Sequence, residues 1–346
     1  MKTYSHLYEK IYDFENLHRA YLRARRGKRD QREVLGFERD LEGELIQLQN
    51  ELVWGQYETG PYRCFHVHEP KQRLVAALAF RDRVVQQSLT AALEPIWEAR
   101  FIHHSYACRP NKGMHAGANQ AQQWLREVQR THGKVYCLKA DCAKYFPSIN
   151  HDVLMSLLSR HVTCRRTLAL CRNIIESWQP GLPIGNLTSQ LWANVYLHEL
   201  DVFVKQHLGV RRYVRYMDDF LIIHPDKAYL HAARAIIEEW LQRTLHLSLN
   251  NKTQVFPVGT HRGRALDFLG YRMWPTHRRL RKDSVKRMRR RLRTLQASYA
   301  AGTIDLADVH QRLSSWLAHA AHADSYRLRG KLLDNATFRR NSATKM

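Results

Sequence analysis

The chain has 346 residues, 44% of them hydrophobic, enough to bury a sizeable core in one to three structural units. Its formal net charge is +23, from 55 Lys and Arg against 32 Asp and Glu, an excess that repels itself unless a polyanion neutralises it. Nucleic acid is the first such partner and an anionic membrane surface the second. No apolar run approaches the roughly 20 residues of a membrane helix. The segment Met1 to Glu15 lacks the apolar stretch of a secretion signal. None of the six cysteines is spaced Cys-x-x-Cys, so neither a zinc nor a redox motif is expected, and reduced thiols in the cytoplasm fit best.

Residues 1–60 read mostly as helix, with Leu41, Leu45, Leu48 and Leu52 at helical spacing and a basic run from Arg23 to Arg29. Residues 62–79 alternate like a β-hairpin around a Pro70-Lys71-Gln72 turn. Helices are predicted over 82–99 and 114–131, on either side of the loop Arg109-Pro110-Asn111-Lys112-Gly113. A buried strand from Val135 ends in Asp141. Pro147 and Asn150 break the chain before helices at 151–161 and 165–177. The turn from Pro180 to Asn186 leads into a long helix over 188–207, and another helix covers 227–245. Short strands follow around Ser248–Phe256 and Ala265–Met273. Trp274-Pro275 marks a boundary before helices at 283–300 and 305–319. From Arg272 to Arg293 there are eleven basic residues against the single acid Asp283.

The most pointed feature is Tyr216-Met217-Asp218-Asp219, set between Tyr213-Val214 and Phe220-Leu221-Ile222-Ile223. That context reads as strand, tight turn, strand, with two carboxylates at the tip. Adjacent carboxylates repel, and folding alone gives little reason to place them there. A divalent cation removes the repulsion, since Mg²⁺ favours carboxylate oxygens supplemented by substrate phosphates. Asp141, at the end of its own strand, is the natural third acid.

Arg73, Arg109-Pro110, Asp141 with Phe146, Gly185 with Ser189-Gln190, the Tyr-Met-Asp-Asp turn, Lys252 and Phe268-Leu269-Gly270-Tyr271 fall in the order of the reverse transcriptase motifs, from about residue 60 to 275. The chain resembles that family. The run Gly181 to Gln190, with Ile184 where retroviral and intron-encoded enzymes usually carry Gln, resembles the reverse transcriptases of diversity-generating retroelements. The resemblance implies an α+β right-hand polymerase. N-terminal helices and fingers would occupy 1–133, a palm with an antiparallel sheet 134–274 (with a fingers-like helical insertion about 151–180), and a basic helical thumb 275–346. It implies RNA-directed DNA synthesis, error-prone at template adenines, in the cytoplasm of a bacterium or from a phage. No RNase H, integrase or endonuclease region is expected.

The same resemblance implies roles for residues. Asp141, Asp218 and Asp219 would be catalytic and, with the carbonyl of Cys142, would hold two Mg²⁺ ions, for which Mn²⁺ would substitute. Lys71, Arg73, Phe146, Ile184, Gly185 and Lys252 would meet the dNTP. There Phe146 would exclude a ribose hydroxyl, and Arg73 and Lys71 would grip the triphosphate. Arg109, Lys112, Ser189, Gln190, Gly270, Tyr271, Arg287 and Arg290 would touch template RNA or the RNA/cDNA duplex. A small basic accessory protein is the implied partner, and no membrane is. Orphan and defence-associated bacterial reverse transcriptases share parts of this pattern and are the alternative within the family; two rival readings outside it are a maturase-like RNA binder with a vestigial core and an RNA-dependent RNA polymerase. The intact acids oppose the first, and Phe146 opposes the second.

Overall fold

The computed structural model describes residues 2–68 and 72–340. The chain begins with helices α1 (Tyr8–Tyr12), α2 (Phe14–Ala24), α3 (Arg32–Glu38) and α4 (Leu41–Trp54). The ribbon β1 (Arg63–Val67) and β2 (Arg73–Ala77) precedes α5 (Phe80–Glu98) and α6 (Met114–His132). Then come β3 (Tyr136–Asp141), α7 (Tyr145–Ser148), α8 (His151–Ser159), α9 (Arg165–Glu176) and α10 (Leu187–Val202), which runs into a π-helical turn over Phe203–His207. β4 (Tyr213–Tyr216), β5 (Asp219–His224), α11 (Lys227–Leu245) and β6 (Gln254–Pro257) follow. The chain closes with β7 (Leu266–Phe268), β8 (Tyr271–Met273), β9 (Arg278–Leu280), α12 (Lys282–Ala300), α13 (Leu306–Ala321) and α14 (Tyr326–Asp334). No described helix is long and apolar enough to cross a membrane. None of the six cysteines is paired in a disulfide.

Local chemistry sets the helix ends. The Asp13, Asp40 and Asn150 side chains accept from the backbone N–H groups of Asn16, Gly43 and Val153, capping α2, α4 and α8. Asp305 and Asp308 form a reciprocal capping box at α13. The apolar spacing read in α4 is the buried stripe of Leu45, Leu48 and Leu52.

Three sheets form. β1 and β2 are an antiparallel ribbon, with Phe65 opposite Val75 and Val67 opposite Arg73. A four-stranded sheet has the order β4-β5-β3-β6, and β7-β8-β9 is an antiparallel meander.

The chain divides into two compact units. Unit 1 comprises Met1–Asn111, Ala140–Phe220 and Ala232–Thr253; unit 2 comprises Lys112–Lys139, Leu221–His231 and Gln254–Met346. In unit 1, α2 packs on α5, and α10 packs on α5 and α8. In unit 2, Met288, Leu292, Leu295, Val309, Leu313 and Leu332 form the core of the terminal helices.

Three sequence expectations change. The strand expected over Ser248–Phe256 is confined to β6, because Asn250 turns the chain; Leu249 keeps only a bridge to Cys142. The strand expected over Ala265–Met273 is broken by Leu269 and Gly270, both at positive φ. Arg278-Arg279-Leu280, read as part of a basic segment past a boundary at Trp274-Pro275, instead forms the third strand of that meander. Within the Arg23–Arg29 run, Arg25 pairs with Glu38.

Candidate active site

Asp141 is positioned by its own strand and by one asparagine. Cys137, Leu138 and Ala140 are fully buried in β3, which fixes the strand and brings Asp141 to its end, half-buried. The backbone N–H of Asn250 donates to the Asp141 carbonyl at 2.8 Å, and its side-chain Nδ2 donates to Oδ2 at 3.2 Å. The Ala143 N–H donates to the Ser248 carbonyl at 2.8 Å, so the chain on both sides of Cys142 is tied to the 248–250 turn.

Asp218 sits in the turn after β4. Met217 precedes it at φ 56, in the left-handed region that non-glycine residues seldom occupy. The strained turn is held by Arg215, which is fully buried. Its Nε and Nη2 donate to the two oxygens of Asp201 at 2.7 and 2.6 Å, and Nη1 donates to Asn194 Oδ1 at 3.1 Å and to the Met217 carbonyl at 2.9 Å. The Tyr213 hydroxyl adds a 2.8 Å bond to Asp201. Burial would lower the basicity of Arg215, but the Asp201 charge and hydrogen bonds more than offset it and hold the guanidinium charged. A charged residue inside an apolar strand, and Asp201 inside an apolar helix, are the sequence signals for this network; each requires a buried counter-charge.

Asp218 and Asp141 share one electrostatic environment. Burial raises Asp218 above the usual carboxylate range and the Asp141 charge raises it further, while Arg73 and Arg215 pull it back. The Cys142 thiol is pushed well up by burial and by the same two carboxylates, so it stays neutral.

Among the described residues no group of three or more His, Cys, Asp or Glu side chains gathers to hold a metal ion. Asp141 and Asp218 are linked by the effect of one charge on the other. Asp219 opens β5 with its Oδ1 buried, and successive residues of a strand project to opposite faces. A pair of carboxylates still fits a hard divalent cation, which takes one or two protein carboxylates and fills its shell with water and phosphate.

The residues expected at a nucleotide differ in exposure and anchoring. Arg73 is exposed at the start of β2, near enough for its charge to act on Asp218. Phe146 is half-buried, whereas its neighbour Tyr145 is in the core with its hydroxyl on the Ala193 carbonyl. The Ile184 carbonyl accepts from the Ala76 N–H at 2.8 Å, which fixes this segment to β2. Gly185 has φ 136, and a Cβ there would lie 2.4 Å from the Ala76 carbonyl oxygen. The close approach that requires glycine is thus to the β2 backbone rather than to a nucleotide. Lys252 is exposed, two residues past Asn250. Lys71 lies outside the described residues.

A profile of the reverse transcriptase (RNA-dependent DNA polymerase) family matches residues 67–273, more than half of the chain. The protein is a member of the reverse transcriptase family. The chain is 28% identical over 275 residues to protein YkfC of Escherichia coli, a match covering 66% of this chain and 71% of that one. It is 28% identical over 185 residues to the group II intron-encoded protein LtrA of Lactococcus lactis, covering 49% of this chain and 29% of LtrA. The fold is similar to telomerase from Candida tropicalis solved with a fragment of telomeric RNA, at a TM-score of 0.50 and 12% identity, over 79% of this chain and 55% of that one. This reverse transcriptase thus combines helices and antiparallel sheets in a polymerase-like fold.

Three residues expected at nucleic acid are engaged inside the reverse transcriptase instead. Arg109 has a side chain only 5% exposed; Nε and Nη2 donate to Glu98 at 2.8 and 2.7 Å, and Nη1 donates to the carbonyls of Ile102 and Ser105. Ser189 is buried within α10. Tyr271 is fully buried, and its hydroxyl meets His115 Nδ1 at 3.0 Å and donates to the His319 carbonyl at 3.0 Å. Gly270 faces the His319 ring, which a Cβ there would approach to 3.2 Å. Gln190 is exposed and Lys112 half-buried. Arg287, Arg289, Arg290, Arg291 and Arg293 are exposed on α12, opposite the buried stripe of Met288, Leu292 and Leu295. Arg215, Asp201, Asn194 and Asn250 were not foreseen from sequence.

Proposed function

We propose that Asp141 and Asp218 form the centre at which this reverse transcriptase joins a dNTP to the 3′ end of a primer paired to RNA. The reading rests on one observation: the Asp141 charge opposes ionisation of a partly buried Asp218, and the exposed Arg73 offsets it. Folding alone would not favour that arrangement, but a cation and a triphosphate would both relieve it. Two Mg²⁺ ions held there, or Mn²⁺, would supply Lewis-acid stabilisation of charge on the entering and leaving oxygens. Asp219 is an auxiliary carboxylate in this reading, and the Cys142 carbonyl an additional oxygen ligand. Arg73 binds the triphosphate, Lys252 faces the leaving pyrophosphate, and the half-buried ring of Phe146 closes the space a 2′-hydroxyl would need. The exposed arginines of α12, Arg287 and Arg290 among them, follow the duplex backbone.

Asp218→Asn tests this. Incorporation on a primed RNA should fall by more than about 100-fold, with RNA affinity within about twofold of wild type. The melting temperature without divalent ions should rise, because the amide removes a buried like charge. Substantial residual polymerisation by the variant would sink the assignment.

Within this activity we assign the chain to a diversity-generating retroelement, copying a template RNA with errors at adenines alongside a small basic accessory protein, in the cytoplasm of a bacterial cell. Support comes from Gly181 to Gln190 and from Ile184, whose side chain cannot hydrogen-bond a base pair. Ile184→Gln should lower misincorporation opposite template adenine in sequenced cDNA; equal error rates would break the link. The matches to the intron-encoded LtrA and to an intron maturase of Arabidopsis thaliana favour a second reading, a maturase-like RNA-binding role. Wild-type protein that binds RNA yet extends no primer with Mg²⁺ and dNTPs would establish it.

A further inference from the structure

Unit 2 contains a groove of about 720 Å³ lined by one face of α6, by β9 and by the segment after α13. Asn119, Gln123, Arg126 and Arg130 recur along that face of α6, and Arg278 and His322 close the groove. Three arginines face two acids here, so basic charge is in excess. Arg126 and Arg130 are exposed, and neither they nor Arg278 has an ion-pair partner among the described residues. Two acids line the groove. Glu127 makes no ion pair with the three arginines, and the Asp324 carboxylate is turned onto the main chain, accepting from the Arg278 backbone N–H at 2.9 Å.

Arg278 is preorganised. Its Nη1 donates to Asn119 Oδ1 at 3.0 Å, and the guanidinium lies 4.8 Å from the centre of the Tyr271 ring. Those contacts account for one of the five N–H donors of a guanidinium. Burial pulls Arg278 below its ordinary basicity; Tyr271 and the Asp324 charge oppose that, and the like charge of Arg126 adds to it. Such a cluster weakens the free fold and is relieved by a bound anion.

We propose that this groove is a track for the sugar-phosphate backbone of a single RNA strand. Its volume exceeds what one phosphate fills. Arg126 and Arg130 stand one helical turn apart, about 6 Å along α6, a spacing comparable to that of neighbouring phosphates in an extended strand. The Asn119 and Gln123 amides add donors and acceptors suited to 2′-hydroxyls. The site uses neither Asp141 nor Asp218 and goes beyond nucleotide transfer. It would retain template RNA independently of the primed end.

The test uses the full chain and a fluorescein-labelled oligouridine of about 20 nucleotides, with anisotropy read across salt. Arg126→Gln/Arg130→Gln changes two exposed helix positions, and a melting temperature no lower than wild type verifies its fold. The double variant should bind about tenfold more weakly at ~0.1 M salt, and its log–log salt slope should flatten by about 1.4, two phosphates at roughly 0.7 each. 4-Thiouridine in the oligomer should crosslink to the peptide spanning Met114–His132 in wild type and not in the variant. Unchanged affinity and slope, or crosslinks confined to other peptides, would overturn the proposal. Displacement of the oligomer by uridine monophosphate at equal phosphate concentration would overturn it too, in favour of a small-anion site. Incorporation on a pre-annealed primer–template reports separately on Asp218, so the two readings can fail independently.

Discussion

The buried guanidinium of Arg215 donates to the carbonyl oxygen of Met217, the residue that enters the turn carrying Asp218. A residue three positions before the acid thus holds the backbone of the turn from inside, while Asp201 and Asn194 of α10 hold the guanidinium.

Arg215→Met should therefore destabilise the protein by about 3–5 kcal/mol, because it leaves the Asp201 charge buried without its partner. Arg215→Met/Asp201→Leu should recover most of that stability but not polymerisation, because the tether to Met217 is still missing. Denaturant unfolding and primer extension on the two variants check both parts. A stable double variant with wild-type activity would show that the turn holds itself.

Phe146→Ala should admit ribonucleotides. The ring is half-buried and its neighbour Tyr145 carries the packing, so the cost in stability should stay below about 2 kcal/mol. Discrimination between dNTP and rNTP should fall by about 10- to 100-fold, measured as the ratio of incorporation efficiencies. Unchanged discrimination would place the gate elsewhere.

His115 and His319 give unit 2 a pH dependence. Burial lowers both below 6.5; the like charges of His322 and Arg278 act in the same direction on each, as does His115 on His319. The Tyr271 hydroxyl also faces both rings. Since the unfolded histidines bind protons more readily, their contribution to stability is full above 6.5 and is lost as pH falls through the lower folded values. The melting temperature should drop from about pH 7 to about pH 5, and His115→Asn/His319→Asn should flatten that drop. Superimposable curves would mean that other groups set the dependence.

The strand to Asp141, the helices and the Asp-Asp turn were legible because each depends on local periodicity or turn chemistry. The tertiary partners of the charged residues were not. Arg109 stands beside a proline in a polar loop, as a template-facing arginine would, and nothing near it in sequence points to Glu98 and two carbonyls. Tyr271 follows a glycine turn that fits a nucleic-acid grip, yet its hydroxyl is taken by histidines 156 and 48 residues away. Arg278-Arg279-Leu280 has the composition of a basic helix, and only pairing with Tyr271–Met273 makes it a strand.

The backbone bonds around Phe146 have an evolutionary consequence. The Leu182 N–H donates to the Phe146 carbonyl at 2.9 Å, Gly181 lies against the 146–147 main chain, and the Ala76 N–H donates to the Ile184 carbonyl. Main chain alone stitches together the segments that carry Phe146, Ile184 and Arg73. Exchanging the side chain at 146 or 184 leaves every one of those bonds in place. On the roles proposed for Phe146 and Ile184, sugar choice and copying accuracy would drift between lineages by single substitutions, while at Gly181 and Gly185 a Cβ would lie 2.2 and 2.4 Å from a backbone oxygen and break the stitching.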